Sequence, residues 1–452
     1  MWNRHRRRGV EAMNGVVRMR RRGVGNVQRL LAGAVIAIVV AACGTGNPSS
    51  VPADPLELRA AGVDREPPPA DAPVNATVEG ITAFGYDLYR VSAEPASNTV
   101  ISPLSIAYAF AMARAGARGD TADQIDAVLR YPTDGVHAAF NAITRELVIT
   151  AGPPPRTSPS ATRTPGESEP PVVSIANGLF VQEGVRVEEE FLRILASQYG
   201  AGAQAVDFTT PTAIEIIDAW VREQTADRIE NLLDQLDPET KVVLANAVYF
   251  KADWALPFAL GETTTESFTR ADGSTVRAPM MSQESKLRYA TSDTWQAVEL
   301  PYADSRIAMW VLVPTGQTTP AELLAPDTLS EVATRMTPGR VDLSIPRWDF
   351  ATGLDLIPPL QELGMDVPFE PGADFSGMLP GVWIDQVVHS ANITVDEGGT
   401  EAAAATGISI GVSAPPPPAV IRADHPFAFA LVDTHTGTPV FIGHVADPTD
   451  TA

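Results

Sequence analysis

The sequence predicts an α+β fold organised on one large β-sheet, and three stretches carry that prediction. Residues 241–251 are almost uninterruptedly apolar, the pattern of a central strand covered on both faces. From Ser267 onward short strand-like runs dominate, whereas the N-terminal half carries apolar residues at helical spacing. The third stretch, residues 395–414, alternates: Thr400, Ala402, Ala404, Thr406, Ile408, Ile410 and Val412 are apolar or β-branched, and the positions between them are small or charged. Strict alternation belongs to a strand with one buried face. Yet Asp396-Glu397-Gly398-Gly399 precedes this strand and Pro415 to Pro418 follow it, so both ends are punctuated as exposed chain. A short helix capped by Thr400, or an ordinary edge strand, remains open from the residues alone.

The elements follow in order. Val78, Ile81, Phe84 or Gly85, and Leu88 recur at helical spacing, so a helix begins near Val74. Residues 99–106 read as a short strand leading into a helix over 107–117, ended by Gly116 and Gly119. Asp120 and Thr121 are placed to cap the next helix, which runs to Leu129. Seven prolines among Ser, Thr and Gly over 151–171 cannot bury a core and read as a surface insertion. Then come a strand at 172–181, a helix at 187–199, a strand at 203–208 and a helix opened by Pro211 with Ile214, Ile217 and Val221 on its apolar face. Further strands are expected at 276–281, 297–300, 307–314 and 341–346.

The N-terminal segment is of another kind. Residues 1–29 hold nine arginines and one acid, residues 30–42 are an unbroken apolar run, and Cys43, the only cysteine, follows. Thirteen apolar residues are too few to cross a hydrocarbon core about 30 Å thick, which fits a removable signal over 1–42. Val40-Ala41-Ala42-Cys43 resembles a bacterial lipobox, making Cys43 the expected lipid-bearing first residue of an extracytoplasmic, membrane-anchored chain. An uncleaved signal anchor is the plainer alternative. Residues 43–73 then read as a Pro/Ala-rich tether to a domain over 74–448, with 449–452 as a tail.

Removing the signal takes nine of 33 basic and one of 55 acidic residues, leaving 24 against 54 and a net charge of −30. Such a surface repels nucleic acid. A lone cysteine excludes an intrachain disulfide and a cysteine-based zinc site, and the six histidines show no ligand spacing, so neither cofactor nor metal is expected.

The run from Val395 through Thr406, Val-Asp-Glu-Gly-Gly-Thr-Glu-Ala-Ala-Ala-Ala-Thr, closely resembles the reactive-centre-loop hinge of the serpins. Serpin-like motifs recur in order from about Val74 to Pro448. They include Ser102-Pro103-Leu104-Ser105-Ile106, Ala176-Asn177, Leu244 through Trp254, Val298-Glu299-Leu300-Pro301-Tyr302, Asp374-Phe375-Ser376-Gly377 and Asp424-His425-Pro426-Phe427. The resemblance implies a serpin fold: a large mixed sheet, two further sheets, about eight or nine helices and an exposed loop over 395–420. It implies a monomeric inhibitor, not an enzyme, whose partner is a serine protease trapped as a covalent acyl complex when the cleaved loop inserts into the main sheet. By residue-for-residue match, Glu397, Gly399, Thr400, Glu401, Ala402, Ala403, Ala404, Ala405 and Thr406 form the hinge. Ser105, Asn246 and His389 form a polar cluster under the sheet opening, and Trp254 stands where the loop enters. Only Arg156 and Arg163 lie near the place where heparin-activated members carry a basic face, so heparin control is not expected.

Insertion makes physical demands that the residues meet. Ordering about 15 residues costs roughly 1–2 kcal/mol each, while a ladder hydrogen bond returns only about 1 kcal/mol net. The surplus must come from burying the even-numbered face and from strain in the unopened sheet. Small Ala402 and Ala404 can slide between strands. The family spacing of seventeen residues from Glu397 puts the scissile bond at Ser413–Ala414, with Val412–Ser413 second. Counting back from Pro426-Phe427 ends two residues later, at Pro415, so the loop is longer than the common pattern. Small residues there suit elastase-like or subtilisin-like pockets.

Two rival functions are weighed against this. A serpin-fold carrier or binding lipoprotein would need the same scaffold, but the permissive hinge argues for inhibition. Gly407-Ile408-Ser409-Ile410-Gly411 fits an esterase elbow with Asp433 and His444 following, but Pro415 to Pro418 forbid the helix such an elbow requires.

Overall fold

The computed structural model describes residues 55–147, 171–229, 231–400 and 419–450. The reactive-bond candidates Val412, Ser413 and Ala414, the hinge residues from Glu401 to Thr406, the lipidation candidate Cys43 and most of the 151–171 insertion lie outside the described residues.

The apolar run forms the strand Val242–Asp253, eleven of whose twelve residues are buried. It is the middle of a seven-stranded sheet ordered Leu56–Leu58, Ala203–Val206, Val172–Gln182, Val242–Asp253, Gly399–Thr400, Gln386–Val395 and Trp348–Asp355. The strand needs apolar residues on both faces because helices cover both. Pro103–Arg114 packs between this sheet and Pro439–Val445, and Thr212–Gln224 lies across the other face. The first of these helices is buried from Pro103 through Ala113, so it shows no polar stripe.

The remaining strands join into one nine-stranded ladder among the described residues. The two further sheets implied by the resemblance meet in it through Thr275–Thr291, a long strand that pairs with Thr264–Thr269, Thr337–Pro346 and Trp295–Pro301 at different points along its length. Nine α-helical segments are present among the described residues.

Four expectations need correction. The helix expected over 107–117 starts four residues earlier, because Ser102 is its N-cap, accepting from the Ser105 N–H, and Pro103 sits at the first position, where its missing N–H costs nothing. The helix Gly119–Leu129 has no side-chain cap; Thr121 instead accepts the Asp374 N–H at 2.8 Å, tying the helix to a distant turn.

Residues 56–66, expected as part of the tether, are built into the fold. Leu56–Leu58 pairs antiparallel with Ala203–Val206 as the outermost strand. Beyond it Arg65 donates to the Asn141 Oδ1 at 2.9 Å, the Asn141 carbonyl at 3.1 Å and the Thr144 hydroxyl at 2.6 Å. Composition alone cannot reveal such a strap, because its strand is three residues long and its anchors are one arginine side chain and the Glu66 backbone. The approach is close: a Cβ on Gly202 would stand 2.5 Å from the Leu58 carbonyl oxygen. At the other terminus, Asn98 donates to the carbonyls of Asp447 and Asp450, so the folded chain continues into the residues expected as a tail.

Candidate functional site: the sheet opening and the hinge

The strands Val242–Asp253 and Gln386–Val395 are parallel neighbours from Val243–Gln386 up to Val248–Ala391. Above that point they part, and Gly399–Thr400 occupies the gap. Gly399 faces Asp253, and Thr400 faces Ala252 on one side and Val395 on the other. Gly399 and Thr400, at the entry to the alternating stretch, thus already serve as a strand, antiparallel to both neighbours. Only glycine fits at 399, where φ is +155° and a Cβ would overlap the Ala252 carbonyl oxygen.

Several groups hold this hinge. Trp254 stacks on Tyr302 with ring centroids 4.4 Å apart and donates its indole N–H to the Asp396 carbonyl at 3.0 Å. Its backbone N–H reaches the Gly398 carbonyl at 2.8 Å. The Tyr302 hydroxyl pairs with that of Thr400 at 2.8 Å, and both residues are buried. Arg347 donates its Nε–H to the Glu397 carboxylate at 2.9 Å, and Thr263 donates to the same oxygen. Burial pushes the Glu397 carboxyl up, but the bonds from Arg347 and Thr263 outweigh it and the net shift is downward. Asp396 is shifted upward by burial, against the Gly398 and Gly399 N–H groups that it accepts at 2.8 and 3.2 Å.

The second half of the site lies lower in the sheet. Register places Asn177, Asn246 and His389 side by side on three adjacent strands. The Asn246 amide donates to the Ser105 hydroxyl at 2.5 Å and to the Asn177 Oδ1, and its own oxygen pairs with His389 Nδ1. His389 Nε2 accepts the Ser102 N–H at 3.2 Å. An acceptor on one ring nitrogen and a donor on the other define the neutral Nδ1–H tautomer. Burial alone pushes the His389 pKa down to about 3. The cluster joins the strands Val242–Asp253 and Gln386–Val395 to the helix Pro103–Arg114 beneath them.

The structure therefore brings Ser105, Asn246 and His389 together, and sets Trp254 beside Glu397, Gly399 and Thr400. Sequence reasoning did not single out Ser102, Asn177, Thr263, Tyr302 or Arg347. Asn177 and Tyr302 sat inside recognised motifs; Thr263 and Arg347 had no local signal, because they meet Glu397 only through the fold. Asp433 and His444, the esterase candidates, have separate partners: Arg306 bonds Asp433 at 3.0 and 2.8 Å, and the Tyr89 hydroxyl meets His444 at 2.6 Å. Among the described residues no cluster of His, Cys, Asp or Glu could hold a metal ion, and no helix is long and apolar enough to cross a membrane.

Comparison with known proteins agrees with this geometry. Residues 79–448 match the family model described as Serpin (serine protease inhibitor). An uncharacterized serpin-like protein of Thermococcus kodakarensis is 36% identical over 382 residues, spanning 82% of this chain and 86% of that one. Among solved structures, native tengpin, a thermophilic serpin, superposes with a TM-score of 0.77 at 24% identity, over 87% of this chain and all of the other. Native protease nexin-1, solved with heparin, gives 0.70 at 29% identity, over 83% of this chain and all of the other. The chain belongs to the serpin family, whose members are generally protease inhibitors.

Proposed function

We propose that this chain is an irreversible suicide-substrate inhibitor of serine proteases with elastase-like or subtilisin-like pockets. The loop is cleaved at Ser413–Ala414, or at Val412–Ser413, and then enters the main sheet carrying the acylated protease. The observation that carries the reading is the hinge itself: Gly399 and Thr400 already lie between the parting strands, in ladder register.

Continuing that register gives the path of the rest. Thr406 falls opposite Asn246 on one side and His389 on the other, so the incoming strand replaces the bond between those two side chains. Ser413 comes level with Glu239, below the start of Val242–Asp253. At about 3.3 Å per residue the fourteen residues from Thr400 to Ser413 span about 46 Å, which carries the protease to the opposite pole. The protease supplies the nucleophile and the serpin supplies the fall in free energy. The chain acts as a monomer outside the cytoplasm, held to a membrane by lipid on Cys43, with no need of heparin.

The test mixes purified protein from Leu56 onward with an elastase and a subtilisin, followed by denaturing gels and sequencing of the released peptide. A stable adduct with a new N-terminus at Ala414 or Ser413 supports the proposal. Clean cleavage without an adduct rejects inhibition in favour of a carrier or binding serpin.

A further inference from the structure

A cavity of about 730 Å³ lies beside the sheet opening, between the strand Val172–Gln182, the helix Thr212–Gln224, the loop after Tyr199 and the N-terminal strap. Its volume is within the roughly 300–1,000 Å³ typical of small-molecule sites. Its electrostatics run against the rest of the chain. The protein carries a net charge of −22, yet three guanidiniums (Arg59, Arg65 and Arg145) and one carboxylate, Glu57, line this space.

Glu57 is only loosely engaged, 3.8 Å from Arg59. Arg65 is half-buried and makes its hydrogen bonds to neutral groups on Asn141 and Thr144, with no carboxylate partner among the described residues. Burial lowers its pKa, as expected of a desolvated cation without a counter-ion. Among the described residues Arg145 reaches only the Glu66 carbonyl, at 3.4 Å. The Asn177 amide nitrogen is buried without any acceptor, although Asn177 lines the same space. Tyr108, Tyr199 and Trp220 supply flat apolar walls. An uncompensated guanidinium is costly when desolvated, and an anion held in the cavity offsets that cost.

We propose that this cavity binds a small organic anion, an aryl carboxylate or aryl phosphate. Its charged end lies among Arg59, Arg65 and Arg145, and its ring lies against Tyr108, Tyr199 and Trp220. The strap supplies two of the three cations, so a chain lacking the strap would lack the site. Asn177 connects it to the sheet-opening cluster through the bond that its Oδ1 accepts from Asn246.

The test is calorimetric titration of the full-length protein with 1-naphthyl phosphate, alongside 1-naphthol and inorganic phosphate. Naphthyl phosphate is expected to bind in the submillimolar range, and each half-ligand markedly more weakly. In Arg59→Gln/Arg145→Gln, whose altered side chains are exposed, affinity should fall about tenfold or more, since a charge-assisted hydrogen bond contributes roughly 1.5–3 kcal/mol. The thermal midpoint of that variant should not change. No heat with naphthyl phosphate at millimolar concentration overturns the proposal. So does equal binding of naphthol, or undiminished binding by the double variant.

Discussion

Replacing Thr400 with arginine tests the hinge most directly. Thr400 is 1% exposed, its hydroxyl is paired with Tyr302, and its backbone lies between Ala252 and Val395. An arginine there has two options. Keeping the slot buries a guanidinium with no carboxylate beside it, at an effective cost of several kcal/mol. Leaving the slot gives up the ladder bonds of Gly399 and Thr400 at about 0.5–1.5 kcal/mol each, and strands the buried Tyr302 hydroxyl at about 1–3 kcal/mol. Expulsion costs about 2–6 kcal/mol, counting one ladder bond for each residue, and re-entry after cleavage must overcome the guanidinium penalty. Because each 1.4 kcal/mol is about a tenfold change in rate, insertion should slow about 30-fold or more against deacylation. The variant should fold, be cleaved at the wild-type rate and release active protease. The assay is the ratio of covalent adduct to cleaved serpin on denaturing gels. Adduct at the wild-type yield from Thr400→Arg would refute the reasoning.

Three further outcomes follow from the same contacts. Arg347→Ala leaves the buried Glu397 carboxylate with Thr263 as its remaining side-chain partner, and should destabilise by about 2–3 kcal/mol, read as a drop in denaturation midpoint; Glu397→Gln/Arg347→Ala should recover part of the loss. His389, His137 and His444 are all held down by burial, to about 3, 4 and 4, against 6.5 in the unfolded chain. The unfolded state therefore binds more protons below pH 6.5, and stability present at neutral pH is lost as pH falls toward 4, by up to about 1.4 kcal/mol per unit for each histidine. A urea midpoint that stays constant from pH 7 to about 4.5 would contradict this. Gly202→Val should push away the strap, and truncation to Pro67 should remove the three Arg65 hydrogen bonds, lowering stability by about 3–4 kcal/mol at roughly 1 kcal/mol or slightly more per bond; unchanged thermal midpoints would show the strap to be inert.

Much of this was legible in the sequence because it depends on local chemistry. Ser102-Pro103 marks the start of a helix wherever it occurs, although the cap lay earlier than the apolar spacing suggested. A run of eleven residues in which only Asn246 and Lys251 are polar can only be a strand or helix covered all round, and the near absence of polar relief in 242–252 placed it at the centre of the sheet. The stretch from Thr400 stood out because its residues alternate in the pattern of a strand with one buried face.

Partnership was harder to read. Asn177, Asn246 and His389 are distant in sequence and become neighbours only because three strands align in register. Nothing local to Arg347 shows that it neutralises Glu397, and the tether composition of residues 43–73 hid a strand and a half-buried arginine. Apolar periodicity, caps and hinge composition are properties of a few consecutive residues, so the sequence by itself determined the fold class, the central strand and the candidate loop. Which polar groups are paired, how far Thr400 has entered the sheet, and where three arginines meet depend on chain segments separated by tens to hundreds of residues. Those were decided only by tertiary structure, because electrostatic and hydrogen-bond partners are chosen by proximity in space.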